Sequence, residues 1–80
     1  MELNFENAEA IYEMNKHLIG EQYKIGTMNF QVHDIQKHNY PEGSDSYRVF
    51  VELKPTHNLN NLRENGLIEI NLFLEFINGL

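Results

Sequence analysis

The clearest pattern in the chain is a strict alternation of side chains between residues 47 and 54. One row is apolar or aromatic throughout: Tyr47, Val49, Val51 and Leu53. The other row is mostly charged: Arg48, Phe50, Glu52 and Lys54. A period of two residues is that of a half-buried β-strand. Pro55 ends the pattern, because proline cannot donate a hydrogen bond to the ladder of a sheet.

A second alternation runs over residues 28–37, and a polar segment, 38–46, separates it from the first. That segment contains Pro41 and Gly43, two residue types that are common in turns. The two patterns therefore predict an antiparallel hairpin with a long polar tip.

Residues 4–19 have the period of an amphipathic helix. Six apolar side chains fall on one face: Phe5, Ala8, Ile11, Tyr12, Leu18 and Ile19. Asn4 is a good N-cap, because its side chain can accept a hydrogen bond from a backbone N–H of the first turn. Gly20 can take the left-handed conformation that commonly follows a helix. The sequence predicts a helix between these two residues.

The last apolar stretch, residues 67–77, fits two periods. In a strand, five large side chains share one face: Ile68, Ile70, Leu72, Leu74 and Phe76. In a helix, a different set lines up: Leu67, Ile70, Leu74 and Ile77. The polar residues favour the strand, which places Glu69, Asn71 and Glu75 on one side, whereas a helix separates Glu69 from the other two. We predict a strand.

These elements predict an α+β fold in which an N-terminal amphipathic helix packs on one face of a three- to four-stranded antiparallel sheet, in the order α-β-β-β. Tyr23 and Ile25 are expected in a short additional strand, and Leu59 and Leu62 in one helical turn before the last strand. A chain of 80 residues is expected to form a single domain.

The composition restricts the classes of function. The chain has no cysteine, which removes disulfides, thiol nucleophiles and cysteine-based zinc sites, and which favours a reducing compartment. A net charge of −6 argues against direct binding of nucleic acid, which requires a basic surface. No apolar run approaches the roughly eighteen residues of a membrane span, and no secretory signal is visible. We expect a cytoplasmic protein from a phage or a low-GC bacterium, without membrane association.

Four glutamates recur along the predicted helix at spacings of four, three and four residues: Glu2, Glu6, Glu9 and Glu13. This spacing stacks them on one face, opposite the apolar one. The stripe is predicted to be a docking surface for a basic protein partner. The alternative is an ordinary solvated helix face.

The second face of the predicted sheet is more apolar than a solvated face should be. It is expected to carry four hydrophobic side chains: Ile35, Phe50, Phe73 and Ile77. Grouped exposed hydrophobes mark interaction sites, so the pattern predicts self-association as a homodimer or a higher homo-oligomer. The alternative is that a loop or the C-terminal residues cover them.

No catalytic, metal or cofactor motif is present. His33 and His38 do not have the spacing of metal ligands, and His33 and Asp34 should point to opposite faces of a regular strand. Ser44 and Ser46 lie in the polar loop without a nucleophile motif around them.

The sequence therefore predicts a small acidic non-catalytic protein-interaction module, of the kind that a phage uses to inhibit a host protein. The alternative is an oligomer that binds or sequesters a small molecule between subunits. Four residues are candidate ligand contacts in that case: His33, Tyr47, Arg48 and Lys54.

Overall fold

The computed structural model describes residues 3–56 and 65–79. Two helices and four strands follow one another along the chain: α1 (Phe5–Asn15), β1 (Gln22–Ile25), β2 (Met28–Asn39), β3 (Tyr47–Pro55), β4 (Gly66–Glu69) and α2 (Ile70–Ile77). The strands form one antiparallel sheet in the order β1-β2-β3-β4. The predicted α+β class, with an N-terminal helix and an antiparallel sheet, is confirmed. The predicted helical turn at Leu59 and Leu62 lies outside the described residues.

Helix α1 begins where Asn4 predicts, but the α-helix ends before Gly20. The Asn4 side chain accepts a hydrogen bond from the backbone N–H of Asn7, at 2.7 Å. The α-helix is shorter than predicted, because it changes at Lys16 into a 3₁₀ turn that ends at Leu18. Gly20 then has a φ of 95°, a conformation that residues with a Cβ rarely adopt.

The prediction for residues 67–77 is wrong beyond Glu69. Only Gly66–Glu69 is strand, and Ile70–Ile77 is helix. The reason is the position of Glu69, which is not inside the helix but is the N-cap of α2. Its carboxylate accepts hydrogen bonds from the backbone N–H groups of Asn71 and Leu72. Glu69, whose polar side chain favoured the strand in the sequence, therefore caps the first turn of the helix.

Both helices pack on the same face of the sheet. Ala8 of α1 and Ile70 and Phe73 of α2 belong to a single buried cluster. The sheet contributes five residues to that cluster: Val32, Ile35, Val49, Val51 and Leu53. The hydrophobic core thus lies between one sheet face and a layer of two helices.

A β-bulge in β2 changes the alternation of that strand. Val32 pairs with Leu53 and Ile35 pairs with Val51. Val32 and Ile35 are three positions apart on β2, whereas their partners are only two positions apart on β3. The extra residue lies between Val32 and Asp34. Because the bulge adds one residue to the count, Val32 and Ile35 both point into the core.

No helix among residues 3–56 and 65–79 is both long and apolar enough to cross a membrane.

A pair of phenylalanines on α2 tests the helix assignment. Phe73 is fully buried, and Phe76, one turn further along, is 51% exposed. We expect Phe73→Ala to lower the free energy of unfolding by about 3–5 kcal/mol, because it leaves a cavity in the core. Phe76→Ala should cost less than about 1 kcal/mol. Urea unfolding measures both values, and Phe73→Leu is the milder variant if Phe73→Ala does not fold.

A larger loss of unfolding free energy in Phe76→Ala than in Phe73→Ala would contradict the helix and support the strand. A strand over residues 67–77 buries Phe76 with Ile70 and turns Phe73 away from the core.

Candidate functional site

The sheet face turned away from both helices is the candidate site, and we call it the open face. The strand register places the following side chains on it: Gln22, Lys24, Asn29, Gln31, His33, Asp34, Gln36, His38, Arg48, Phe50, Glu52, Lys54, Leu67 and Glu69. Most of them are polar, which is expected when only the other face of an antiparallel sheet is buried.

Glu52 is the centre of a polar network on the open face. Its carboxylate accepts hydrogen bonds from the side-chain amides of Gln36 and Asn65, each at 2.7 Å. His33 Nε2 lies 3.6 Å from Glu52 Oε2, and His38 Nε2 lies 2.7 Å from Gln36 Oε1. The network links β2, β3 and the residue that precedes β4, so it fixes the positions of side chains on three neighbouring segments.

Two aromatic rings next to this network each contact a neighbouring side chain. The rings of His38 and Phe50 meet edge to face, with centroids 5.7 Å apart. The Arg48 guanidinium lies over the Tyr40 ring, 4.3 Å from its centroid. Such contacts hold the side chains at defined positions. Tyr, Phe and Arg are also residue types that are enriched in protein–protein interfaces.

The acidic stripe of the sequence lies on the exposed side of α1. Glu6, Glu9 and Glu13 are all exposed, while Glu2 lies outside the described residues. The Glu13 carboxylate is paired with the Lys16 ammonium at 2.6 Å. The hydrogen bond from Lys16 to Glu13, together with their opposite charges, raises the pKa of Lys16. The role of the stripe stays a prediction.

The surface predicted for self-association does not form. Ile35 is 3% exposed and Phe73 is fully buried, and Ile77 packs against the same core. Only Phe50 lies on the open face. The prediction is wrong for two physical reasons: the bulge turns Ile35 inward, and helix α2 brings Phe73 and Ile77 to the core side of the sheet.

The four candidate ligand contacts do not meet in one pocket. His33, Arg48 and Lys54 lie on the open face. Tyr47 points to the core side, where its ring contacts Phe5 at a centroid distance of 5.6 Å. Tyr47 and Arg48 do line the same cleft, of about 560 Å³, but neither His33 nor Lys54 reaches it.

A second cavity, of about 440 Å³, lies at the opposite end of β3. Its lining consists of apolar side chains and one glycine: Met28, Phe30, Leu53, Pro55, Gly66, Leu67 and Ile68. Specific ligand sites combine such a surface with a few polar groups that orient the ligand. Among residues 3–56 and 65–79, no polar side chain lines this cavity.

The bulge also changes the relation between His33 and Asp34. Both residues lie on the open face, where regular alternation would have separated them. They do not form a catalytic dyad, since His33 approaches Glu52 and the Asp34 carboxylate accepts a hydrogen bond from the Ile35 N–H at 2.9 Å. Within the described ranges, no group of three or more His, Cys, Asp or Glu residues is arranged to hold a metal ion.

Sequence reasoning missed Gln36 and His38 of the open face, and it missed Tyr40, which contacts Arg48 of that face. One signal could have found the first two. The apolar residues of β2 recur every second position up to Val32 and then skip to Ile35. A skip of this kind indicates a bulge, after which Gln36 and His38 fall on the open face.

No protein family model matches the chain, and no curated protein or solved structure matches it either. Its function is therefore inferred from the geometry of its surfaces.

The network predicts that Glu52 contributes to stability. We expect Glu52→Ala to lower the free energy of unfolding by about 1–2 kcal/mol, because the amides of Gln36 and Asn65 lose a charged acceptor in a half-buried position. The matched control is Lys54→Ala, on the same strand and face, which should change it by less than about 0.5 kcal/mol. Urea unfolding of both variants tests this. Equal losses of unfolding free energy in Glu52→Ala and Lys54→Ala would mean that the network does not stabilise the fold.

Proposed function

We propose that this chain is a small acidic protein-interaction module without catalytic activity, and that it binds a basic partner protein through the exposed face of α1. The observation that carries the proposal is the arrangement of this helix. Glu6, Glu9 and Glu13 are exposed on it, and Met14, the next residue after Glu13 in the sequence, is 72% exposed on the same helix. The face therefore offers both negative charge and an apolar contact.

Charge and apolar area contribute in different ways to such an interface. Exposed carboxylates steer a basic partner during diffusion, and they raise the association rate more than the final affinity. Met is enriched at interfaces because its unbranched side chain adapts to the shape of a partner. Glu6 and Glu9 have no cationic partner within the part of the chain that the structure describes. Their charge is thus available to a second protein.

The scattered positions of the candidate ligand contacts favour this proposal over the small-molecule alternative. Residues that bind one ligand must converge on it, and Tyr47 lies on the opposite face of the sheet from His33 and Lys54. Inhibition of a host protein by a phage protein is the biological role that we propose for the module. A chain without cysteine suits the reducing cytoplasm, where this inhibition would take place.

The proposal predicts that reversing two charges on α1 weakens capture of the partner. A tagged Glu6→Lys/Glu9→Lys variant should recover a basic protein from the host less efficiently than the wild type, because each reversal replaces attraction by repulsion. The difference should shrink in high salt, which screens exposed charges. Affinity purification with quantitative mass spectrometry, at two salt concentrations, measures the recovery.

The control variant is Glu21→Lys/Glu75→Lys. It changes the net charge by the same amount, at two exposed positions outside α1. If both variants lose the partner equally, net charge and not the α1 face is responsible. If neither loses it at low salt, α1 is not the docking surface.

A further inference from the structure

The cleft between α1, β3 and the first turn of α2 combines an apolar wall with a few polar groups. Its volume of about 560 Å³ is within the range of roughly 300–1,000 Å³ that is typical of small-molecule sites. The lining consists of Leu3, Ile11, Tyr47, Arg48, Val49, Glu69 and Asn71. The cavity at the other end of β3 has an apolar lining, so this cleft is the better candidate for a specific ligand site.

The cleft lies at a gap in the pairing of β3. At one end of the gap, Leu3 forms a bridge to Tyr47. At the other end, β4 stops at Glu69, which pairs with Phe50. Between these two pairings, β3 has no neighbouring strand on that side in the described part of the chain. Because the cleft opens at a strand edge, side chains from both faces of the sheet reach it.

Two side chains of opposite charge line the cleft without pairing with each other. Arg48 and Glu69 are diagonal neighbours, because Glu69 pairs with Phe50, two residues after Arg48. The Cβ atoms of such neighbours are roughly 7–8 Å apart. The Arg48 guanidinium lies over the Tyr40 ring, 4.3 Å from its centroid. It forms no hydrogen bond and no ion pair with the residues that the structure describes.

The Glu69 carboxylate keeps both its charge and an acceptor position. Its Oε2 accepts hydrogen bonds from the backbone N–H groups of Asn71 and Leu72, and its Oε1 accepts one from the Asn71 side-chain amide. A carboxylate has about four acceptor positions, so one remains on Oε1 for a further donor. All three donors are neutral, so the charge is not paired. The three bonds also hold the carboxylate in place, which lowers the entropy cost of binding a ligand.

One charge of each sign determines the class of ligand. Within residues 3–56 and 65–79, no other Asp, Glu, Lys, Arg or His side chain lines the cleft. A ligand that covers an exposed charge without pairing it removes the hydration of that charge at a cost. An anionic ligand would therefore leave Glu69 covered and unpaired, and a cationic ligand would do the same to Arg48. A zwitterion pairs both.

We propose that the cleft binds a free α-amino acid with an apolar side chain. Its carboxylate pairs with Arg48, its ammonium group pairs with Glu69, and its side chain contacts the apolar wall. Both ionic groups of an α-amino acid are attached to the same carbon, so one small molecule reaches both residues. The site lies within one chain, and it is independent of the docking of a basic partner on α1.

The test is a titration of ¹⁵N-labelled full-length protein with L-leucine, which should give saturable amide shifts at the cleft lining. Two analogues each lack one charge: leucinamide has no carboxylate, and 4-methylpentanoate has no ammonium group. Each should have a Kd about three- to ten-fold higher than that of leucine, because one ion pair is lost and one charge of the protein is covered without a partner. Glycine should also bind more weakly, since it has no side chain to contact the apolar wall.

Matched variants assign each ion pair. Glu69→Gln should raise the Kd of leucine about three- to ten-fold but not that of 4-methylpentanoate. Arg48→Gln should raise the Kd of leucine by a similar factor but not that of leucinamide. Glutamine in place of Glu69 keeps an oxygen that can cap α2, and circular dichroism checks that the helix remains. The control, Glu75→Gln, removes an exposed charge of α2 outside the cleft and should leave the Kd unchanged.

Several results would each overturn the proposal: no saturable shifts at millimolar leucine, shifts confined to residues outside the cleft, or binding of glycine or of either analogue as tight as that of leucine. An unchanged Kd of leucine in Arg48→Gln would also overturn it, and this variant leaves the cap of α2 intact. None of these results bears on the recovery of a basic partner through Glu6 and Glu9, so the two proposals fail separately.

Discussion

The β-bulge in β2 determines which side chains lie in the core and which lie on the open face. Val32 and Ile35 both enter the core because the extra residue lies between Val32 and Asp34. The Asp34 carboxylate accepts a hydrogen bond from the Ile35 N–H and so stabilises the local geometry. Without the bulge, Ile35 would point to the open face. With it, the apolar residues of β2 collect on one side, and both helices pack there.

Two interactions stabilise helix α2. Its first turn is capped by Glu69, and its apolar side chains pack into the core that α1 and the sheet also form. Glu69 satisfies the N–H groups of Asn71 and Leu72, which a helix of eight residues would otherwise leave without partners. Phe73 then packs edge to face against Tyr23 of β1, with ring centroids 5.5 Å apart. The core is thus built from the first and last elements of the chain together, and the open face stays free of both helices.

Helix α1 and the hairpin could be predicted from the sequence, because each has a long run with a single period. Helix α2 could not, because an apolar run of eleven residues fits both a helix and a strand, and the choice depended on whether Glu69 lies inside the helix or caps it. The prediction of a self-association surface was wrong for a related reason. A single extra residue reverses the direction of every later side chain in β2, and Ile35 lies two positions after it.

Reactivity of single cysteines across the bulge tests this account most directly. The chain has no cysteine of its own, so His33→Cys, Asp34→Cys and Ile35→Cys each introduce one thiol, whose rate of labelling in the folded protein reports its exposure. The bulge predicts fast labelling at the two consecutive positions 33 and 34 and strong protection at position 35. Fast labelling at 33 and 35 with protection at 34, which is the pattern of a regular strand, would contradict it.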